Sequence, residues 1–380
     1  MPSPLRLVAN ALLVAISAGA TSVGVAVAAQ QPRITNGQIV PQPAASPLAQ
    51  SFRSLVASQN EVAWIGYMVP VVESERIMCC FGGDNGTWIN GQIVNDGRGC
   101  CRACRLEPAA DGTSMATRAP AGTAANVVRL EPSDRMVVLF RIVDRAVERV
   151  RVFSEDCELD AGGRAITWLE GVRAADSVAL LETFATAADG RRDRILDGAI
   201  TAIALHGDAA ADASLERLLA TNQPEAVRKK VTFWLGNARG ARGLATLRRV
   251  LQSDPSGEVQ KSAVFGVSQS RELGAQDILL GLARNDANPR IRSEALFWLA
   301  QKAGITVAAA ITERIEQDPD TEVKKRAVFA LSQMPKDEGV PLLINVARTN
   351  TNPVVRKQAM FWLGQSKDQR AVEFFAEILK

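Results

Sequence analysis

Six cysteines and a single histidine are the side chains of this 380-residue chain best suited to redox, metal or nucleophilic chemistry. Cys79, Cys80, Cys100, Cys101, Cys104 and Cys157 all fall before residue 160, and none lies in the second half. Three uses fit them. Their even number suits disulfides, with the pairing open. As thiolates, Cys79, Cys80, Cys101 and Cys104 could surround a zinc ion. Cys101 and Cys104 also have the two-residue spacing of a redox pair, although no strand–helix unit of the thioredoxin kind surrounds them. One histidine, His206, excludes mechanisms that need two, including poly-histidine metal sites. The sequence therefore predicts no metal and no cofactor, and disulfides are the preferred use of the thiols.

The N-terminus favours that use. Arg6 precedes an uncharged run from Leu7 to Ala29, and the small residues Ala28 and Ala29 stand where a signal peptidase needs them. Ser17, Gly19, Thr21, Ser22 and Gly24 keep the run weakly hydrophobic, against the alternative of an uncleaved anchor of about 20 apolar residues. The expectation is a signal peptide over 1–29, export to the periplasm or beyond, and no membrane span after its removal. Residues 30–50, rich in Pro, Gln and Ala, predict a flexible linker. With 22% charged residues and a net charge of +3, nothing marks a nucleic-acid partner.

The elements that position the cysteines form a small β-rich domain over 51–160. Val62 to Val72 reads as a strand, and Met136 to Val143 with Val147 to Phe153 as a hairpin turning around Asp144 to Ala146. Glycine-rich turns fall at Gly82 to Gly86 and Asp96 to Gly99. The expected sheet is antiparallel.

A different order governs 163–380. Val227, Val259, Ile291, Val323 and Val355 are 32 residues apart, and so are Phe233, Phe265, Phe297, Phe329 and Phe361. The preceding helix keeps step through Leu215, Leu247, Leu279, Ile311, Leu343 and Phe375, and the intervening turn through Asn222, Asp254, Asp286, Asp318 and Asn350. A fixed period of this length means stacked helix pairs, each burying its apolar face only against its neighbours. Ala199 to Ile203 and, after a two-residue shift, Ala165 to Leu169 extend the pattern upstream as degenerate helical units. Arg370 to Lys380 closes it, with Val372, Phe375 and Ile378 expected inward. Trp234, Trp298 and Trp362 alternate with Ala202, Gly266 and Ala330 at one position, an arrangement suited to core packing of large against small.

The block from Pro353 to Gly364 and its equivalents resemble short bacterial HEAT repeats of the phycobilisome-lyase type. The likeness covers 163–380 and implies an all-α superhelical solenoid, here preceded by the small cysteine-containing β domain. It also implies an Asp–Arg ladder, in which Asp286 and Asp318 cap helix starts and bond the nearby Arg292 and Lys324; Gln260 departs from that pattern.

Advancing 100° per residue along the second helix of each pair separates an inward face from a variable, solvent-facing stripe. The phenylalanine column stands within that stripe. One turn later comes a column of amides, Asn237, Gln269, Gln301, Gln333 and Gln365, with Lys229, Lys261, Lys325 and Lys357 alongside. In a solenoid the second helices line the concave face. A Phe-x-x-x-Asn/Gln array there is similar to the Trp-x-x-x-Asn arrays of armadillo proteins, which hold an extended peptide by amide contacts and aromatic slots. The alternative is that the rings pack beneath lysine stems. The function expected is a non-enzymatic scaffold of the cell envelope that binds a peptide or protein through these residues, with acidic partners favoured by the lysines. A lyase-type enzyme of the HEAT-repeat family, or a metal or redox module, is the alternative. Hydroxylase activity of the deoxyhypusine type is excluded by the missing His-Glu iron motifs.

Overall fold

β-Branched and aromatic residues between turn signals build the first part of the chain. The computed structural model describes residues 32–72, 88–89, 92–93, 104–107, 134–155, 157–185, 193–302 and 305–379. The strands are β1 (Arg33–Thr35), β2 (Gln38–Pro43), β3 (Ala63–Pro70), β4 (Trp88–Ile89), β5 (Gln92–Ile93), β6 (Cys104–Arg105), β7 (Arg135–Val143), β8 (Ala146–Ser154), β9 (Glu158–Asp160) and β10 (Ala165–Glu170), with helix α1 (Leu48–Ser58) after β2. A five-stranded sheet has the order β2-β10-β3-β7-β8, a small sheet the order β1-β9-β6, and β4 pairs with β5. The predicted hairpin is β7–β8. Its turn puts both Asp144 and Arg145 at positive φ, the twist that two-residue hairpin turns require.

Three expectations need correction here. Residues 32–50 are no tether, since they supply β1, β2 and the start of α1. The main sheet is mixed, because β10 runs parallel to both β2 and β3. Ala165 to Leu169 is a strand rather than a degenerate helical unit. Ile166 and Trp168 are buried two residues apart, and positive-φ glycines at 163 and 171 bracket a segment of strand length. The glycine turns predicted at 82–86 and 96–99 lie outside the described residues.

Both faces of the main sheet are covered. Trp64, Leu139, Phe153, Ile166 and Trp168 pack with Leu106, Cys157, Leu159 and Ala161 on one side. On the other, Tyr67, Phe140, Val150 and Val152 share one core with the helices that follow.

Those helices are α2 (Ala174–Ala185), α3 (Asp193–Leu205), α4 (Ala210–Leu218), α5 (Glu225–Ala238), α6 (Gly240–Ser253), α7 (Gly257–Gln269), α8 (Ala275–Asn285), α9 (Pro289–Ala300), α10 (Ile305–Gln317), α11 (Thr321–Gln333), α12 (Lys336–Thr349), α13 (Pro353–Gln365) and α14 (Gln369–Ile378). The second degenerate unit, Ala199 to Ile203, is helical within α3. Val227, Val259, Ile291, Val323 and Val355 are all buried, as the register predicts. In α14 the inward residues are Ala371 and Phe374, with Phe375 partly buried, whereas Val372 and Ile378, expected inward, are exposed.

The sheet is joined to the helices by backbone contact. A Cβ on Gly198 of α3 would lie 2.1 Å from the Val150 carbonyl oxygen of β8. Beyond α3, His206 bridges to Val71, and the Val72 and Gly207 amides donate to the Leu205 and Pro70 carbonyls. Among the described residues no helix is long and apolar enough to cross a membrane.

Candidate functional site

From α5 onward the odd-numbered helices lie side by side, and each start is set by its own sequence. Ser256, Asn288, Asp320 and Asn352 accept hydrogen bonds from the first-turn amides of α7, α9, α11 and α13, while Pro289 and Pro353 begin helices at a position where a missing N–H costs nothing. The odd helices approach one another more closely than the even ones do, which puts them on the inside of the curve. At the closest point Gly236 faces Gly266, and a Cβ on either would lie within 2.4 Å of the other helix's backbone oxygen.

The acidic turn residues hold the stack together, though not by the pairing expected. Each caps its own turn: the Asp254, Asp286 and Asp318 carboxylates accept from the amides of Ser256, Asn288 and Asp320. The partner arginine comes from the preceding unit. Arg228 donates to both oxygens of Asp254, and Arg292 to both of Asp318, in buried bidentate pairs. Arg292 binds only the backbone carbonyl of Asp286, and Lys324 reaches the Glu316 carbonyl instead of Asp318. Gln260 itself forms no ion pair and donates only to the Asp254 carbonyl, yet the Asp254 carboxylate expected to lose by this is held by Arg228. Burial raises the Asp318 carboxyl, but its hydrogen bonds from Arg292 and the Asp320 amide outweigh that and hold it below the usual range.

The rungs expose a two-unit rhythm. Arg228, Arg292 and Arg356 share helices with Trp234, Trp298 and Trp362, whereas Gln260 and Lys324 share theirs with Gly266 and Ala330 and with Ser268 and Ser332. This co-variation stood in the sequence, and only the geometry gave it meaning.

The phenylalanines and tryptophans of the odd helices form one ribbon. Phe233 stacks on Phe265 at 5.7 Å, Phe265 meets Trp298 at 4.6 Å, and Trp298 meets Phe297 at 4.9 Å. Phe297 stacks on Phe329 at 6.0 Å, and Trp362 links Phe329 to Phe361 at 4.9 and 5.0 Å. The tryptophans are therefore not fully enclosed core residues; all three are partly buried, Trp298 and Trp362 lie against the phenylalanine of the preceding odd helix, and Trp234 lies against Phe233 of its own. Gly266 is small because the backbone of α5 and the Leu247 side chain occupy its place, not because a tryptophan does. Neighbouring rings contact one another along the row, so a partner lying over it would meet a continuous aromatic strip. Phe361 is 53% exposed, and the other four phenylalanines are partly so.

The amide column lies on one rim of this surface, at the C-terminal ends of the odd helices. Asn237 is next to last in α5, Gln269, Gln333 and Gln365 are the last residues of α7, α11 and α13, and Gln301 caps α9. Asn237 Nδ2 donates to the Phe233 carbonyl; Gln269 and Gln333 Nε2 donate to Ser268 and Ser332 Oγ. Gln333 and Gln365 also line a shallow pocket of about 170 Å³ with Trp362 and Lys336. Of the lysines, Lys261 lies 3.7 Å from Glu294, and Lys325 bonds both oxygens of Glu322. Lys357 is exposed.

The described cysteines, Cys104 and Cys157, belong to the sheet region rather than to this surface. Cys157 is buried beside β9, Cys104 lies in β6, and Cys79, Cys80, Cys100 and Cys101 fall outside the described residues. Among the described residues no three His, Cys, Asp or Glu side chains converge to hold a metal.

Residues 219–300 and 308–380 match the family model for HEAT repeats, so this part of the chain is a solenoid of HEAT repeats. No curated protein matches the chain. Among solved structures it is similar to human deoxyhypusine hydroxylase in complex with glycerol (16% identity, 54% of this chain and 90% of that one, TM-score 0.24). It is also similar to YibA of E. coli (17%, 54% and 75%, TM-score 0.33) and to Kap121p (14%, 50% and 23%, TM-score 0.28).

Proposed function

We propose that the chain is a non-enzymatic scaffold that holds a segment of a partner protein along the face of α5, α7, α9, α11 and α13. The observation that supports this is the unbroken aromatic ribbon on an accessible surface. A helix row stabilised only by its own packing buries its large rings, yet here eight stay partly exposed in one line. Aromatic rings with neutral polar neighbours are the composition of interface centres. The export reading of 1–29 and the disulfide reading of the cysteines belong to the same proposal, which places the scaffold in the cell envelope. In that compartment the sheet-bearing part keeps its thiols oxidised.

The test compares full-length wild type with a Phe329→Ala/Phe361→Ala variant and a control, Gln252→Ala, on an even helix. A partner isolated from envelope extract should be retained by wild type and control and lost by the ribbon variant, with helicity equal by circular dichroism. Partner retention unchanged by the ribbon substitutions would remove this face from consideration. Thiol titration of the denatured, unreduced protein should find few free thiols; four or more would remove the disulfide part.

A further inference from the structure

The amides of the rim have a fixed polarity. The Ser268 hydroxyl donates to the Phe265 carbonyl at 2.6 Å, so its oxygen is left to accept from Gln269 Nε2. Ser332, Phe329 and Gln333 repeat this relay. A serine proton engaged by a carbonyl cannot also be given to the glutamine, so the amide nitrogen must face the serine and the oxygen must face away. Asn237 is oriented likewise by donating to the Phe233 carbonyl. Three amides of the row thus turn their nitrogens inward, each engaging one of its two N–H groups inside the protein, and direct their oxygens outward.

The rim adds to this bias. It gathers the C-terminal ends of the odd helices, each with unpaired carbonyls and the equivalent of about half a negative charge. Beside it run ring faces, which attract cations through their quadrupole. The lysines lie one turn before the rings, on the far side of the ribbon, and Lys261 and Lys325 face Glu294 and Glu322. A preference for acidic partners, expected from the lysine column, is thereby weakened.

We infer that the partner segment is read through arginine side chains, whose planar guanidinium groups stack on the ribbon and donate to the oxygens of Gln269 and Gln333. The inference rests on the groove proposed above. Guanidinium matches both features at once, since it stacks flat on rings and carries five donors and no acceptor. Packed helices lie about 8–10 Å apart, so Gln269 and Gln333, two odd helices apart, are separated by about 16–20 Å. An extended chain covers that distance in about five or six residues.

The probe is a fluorescein-labelled alanine–serine peptide with two arginines about six residues apart, titrated into the full-length protein and followed by anisotropy. Peptides with lysine or glutamate in place of arginine, or with adjacent arginines, serve as comparisons. The spaced arginine peptide should bind best, and Gln269→Ala/Gln333→Ala should weaken it roughly tenfold or more. Ser268→Ala/Ser332→Ala, which lets the amides turn, should reduce the preference for arginine over lysine while keeping the glutamines. The inference is overturned if the glutamate peptide binds as well, or if the glutamine variant leaves arginine binding unchanged. Peptides without arginine that bind and are lost with Phe329→Ala/Phe361→Ala would overturn it while keeping the groove. If none of the peptides responds to either set of variants, the inference falls, and partner retention tests the groove separately.

Discussion

Two helical glycines, Gly266 in α7 and Gly281 in α8, stand in opposite surroundings. Gly266 stands where α5 and α7 touch backbone to backbone, so a methyl group would meet the Thr232 oxygen at 2.4 Å. Gly281 in α8 has nothing within 4 Å of its Cβ position. Gly266→Ala is expected to destabilise by about 1–3 kcal/mol through overpacking, despite a better helix former. Gly281→Ala should stabilise by about 0.5–1 kcal/mol. Urea denaturation of the two variants checks the opposite signs. The tryptophans invite a similar comparison. Because Trp298 is only partly buried, Trp298→Ala should cost about 2–3 kcal/mol, below the 3–5 kcal/mol typical of a fully enclosed ring. Its contact with Phe265 should appear as a coupling of about 0.5–1.5 kcal/mol in a double-mutant cycle. A cycle that closes with no coupling would show that the ribbon is a coincidence of geometry.

Between elements, the strongest tie is the bidentate pair from α9 to the turn before α11. Arg292 and Asp318 are both buried, so removing one partner leaves a charge without compensation. Arg292→Ala should cost about 3–5 kcal/mol, whereas Lys324→Ala, at the equivalent place without a carboxylate, should cost less than about 1 kcal/mol. The pair also sets a pH dependence. With its folded value depressed, Asp318 contributes stability that is present above the ordinary carboxylate range near 4 and is lost as pH falls through its folded value. In Arg292→Ala the largest lowering influence is gone and burial is opposed only by the Asp320 amide and Arg314, so the residual stability should begin to respond to acid at a higher pH. Denaturation midpoints across a pH series would show the displacement. Because rungs occur at every second interface, the damage should be largest between α9 and α11 and smaller further along the stack.

At the scale of the whole molecule, the joint between sheet and solenoid carries the chain's one histidine. Burial pushes the His206 imidazole down to about 4; Asp208 opposes that, and Arg239 adds to it. Its Nδ1 accepts from the Asp208 amide, and Arg239 binds its carbonyl oxygen. A histidine depressed in the folded state binds its proton more readily when unfolded. The joint should therefore lose stability as pH falls from about 6.5 to about 4. Between pH 7 and 4.5 the loss attributable to His206 should be about 2–3 kcal/mol, from 1.36 kcal/mol per unit. His206→Gln should flatten that part of the profile while lowering stability at pH 7. A wild-type profile no steeper than the variant's would show that the imidazole is not buried in neutral form.

Much of the helical stack was determined by sequence alone. A period of 32 residues without insertion leaves no other way to bury the valine and leucine columns, and Ser256, Asn288, Asp320 and Asn352 mark where α7, α9, α11 and α13 start. The phenylalanine and amide columns were equally visible, since a fixed offset of four residues places them on one helical face. Three things had to wait for tertiary structure. Ala165 to Glu170 fits a helical template as well as a strand, and only pairing with β2 and β3, which are distant in sequence, decides for β10. The partners of Asp254 and Asp318 come from the previous unit, because the offset between stacked helices, not the distance along the chain, brings a guanidinium to a carboxylate. The amide column looked able both to donate and to accept. At Gln269 and Gln333 the preceding serine, fastened to a backbone carbonyl one turn earlier, turns the amide nitrogen inward, so that the oxygen faces whatever the surface binds.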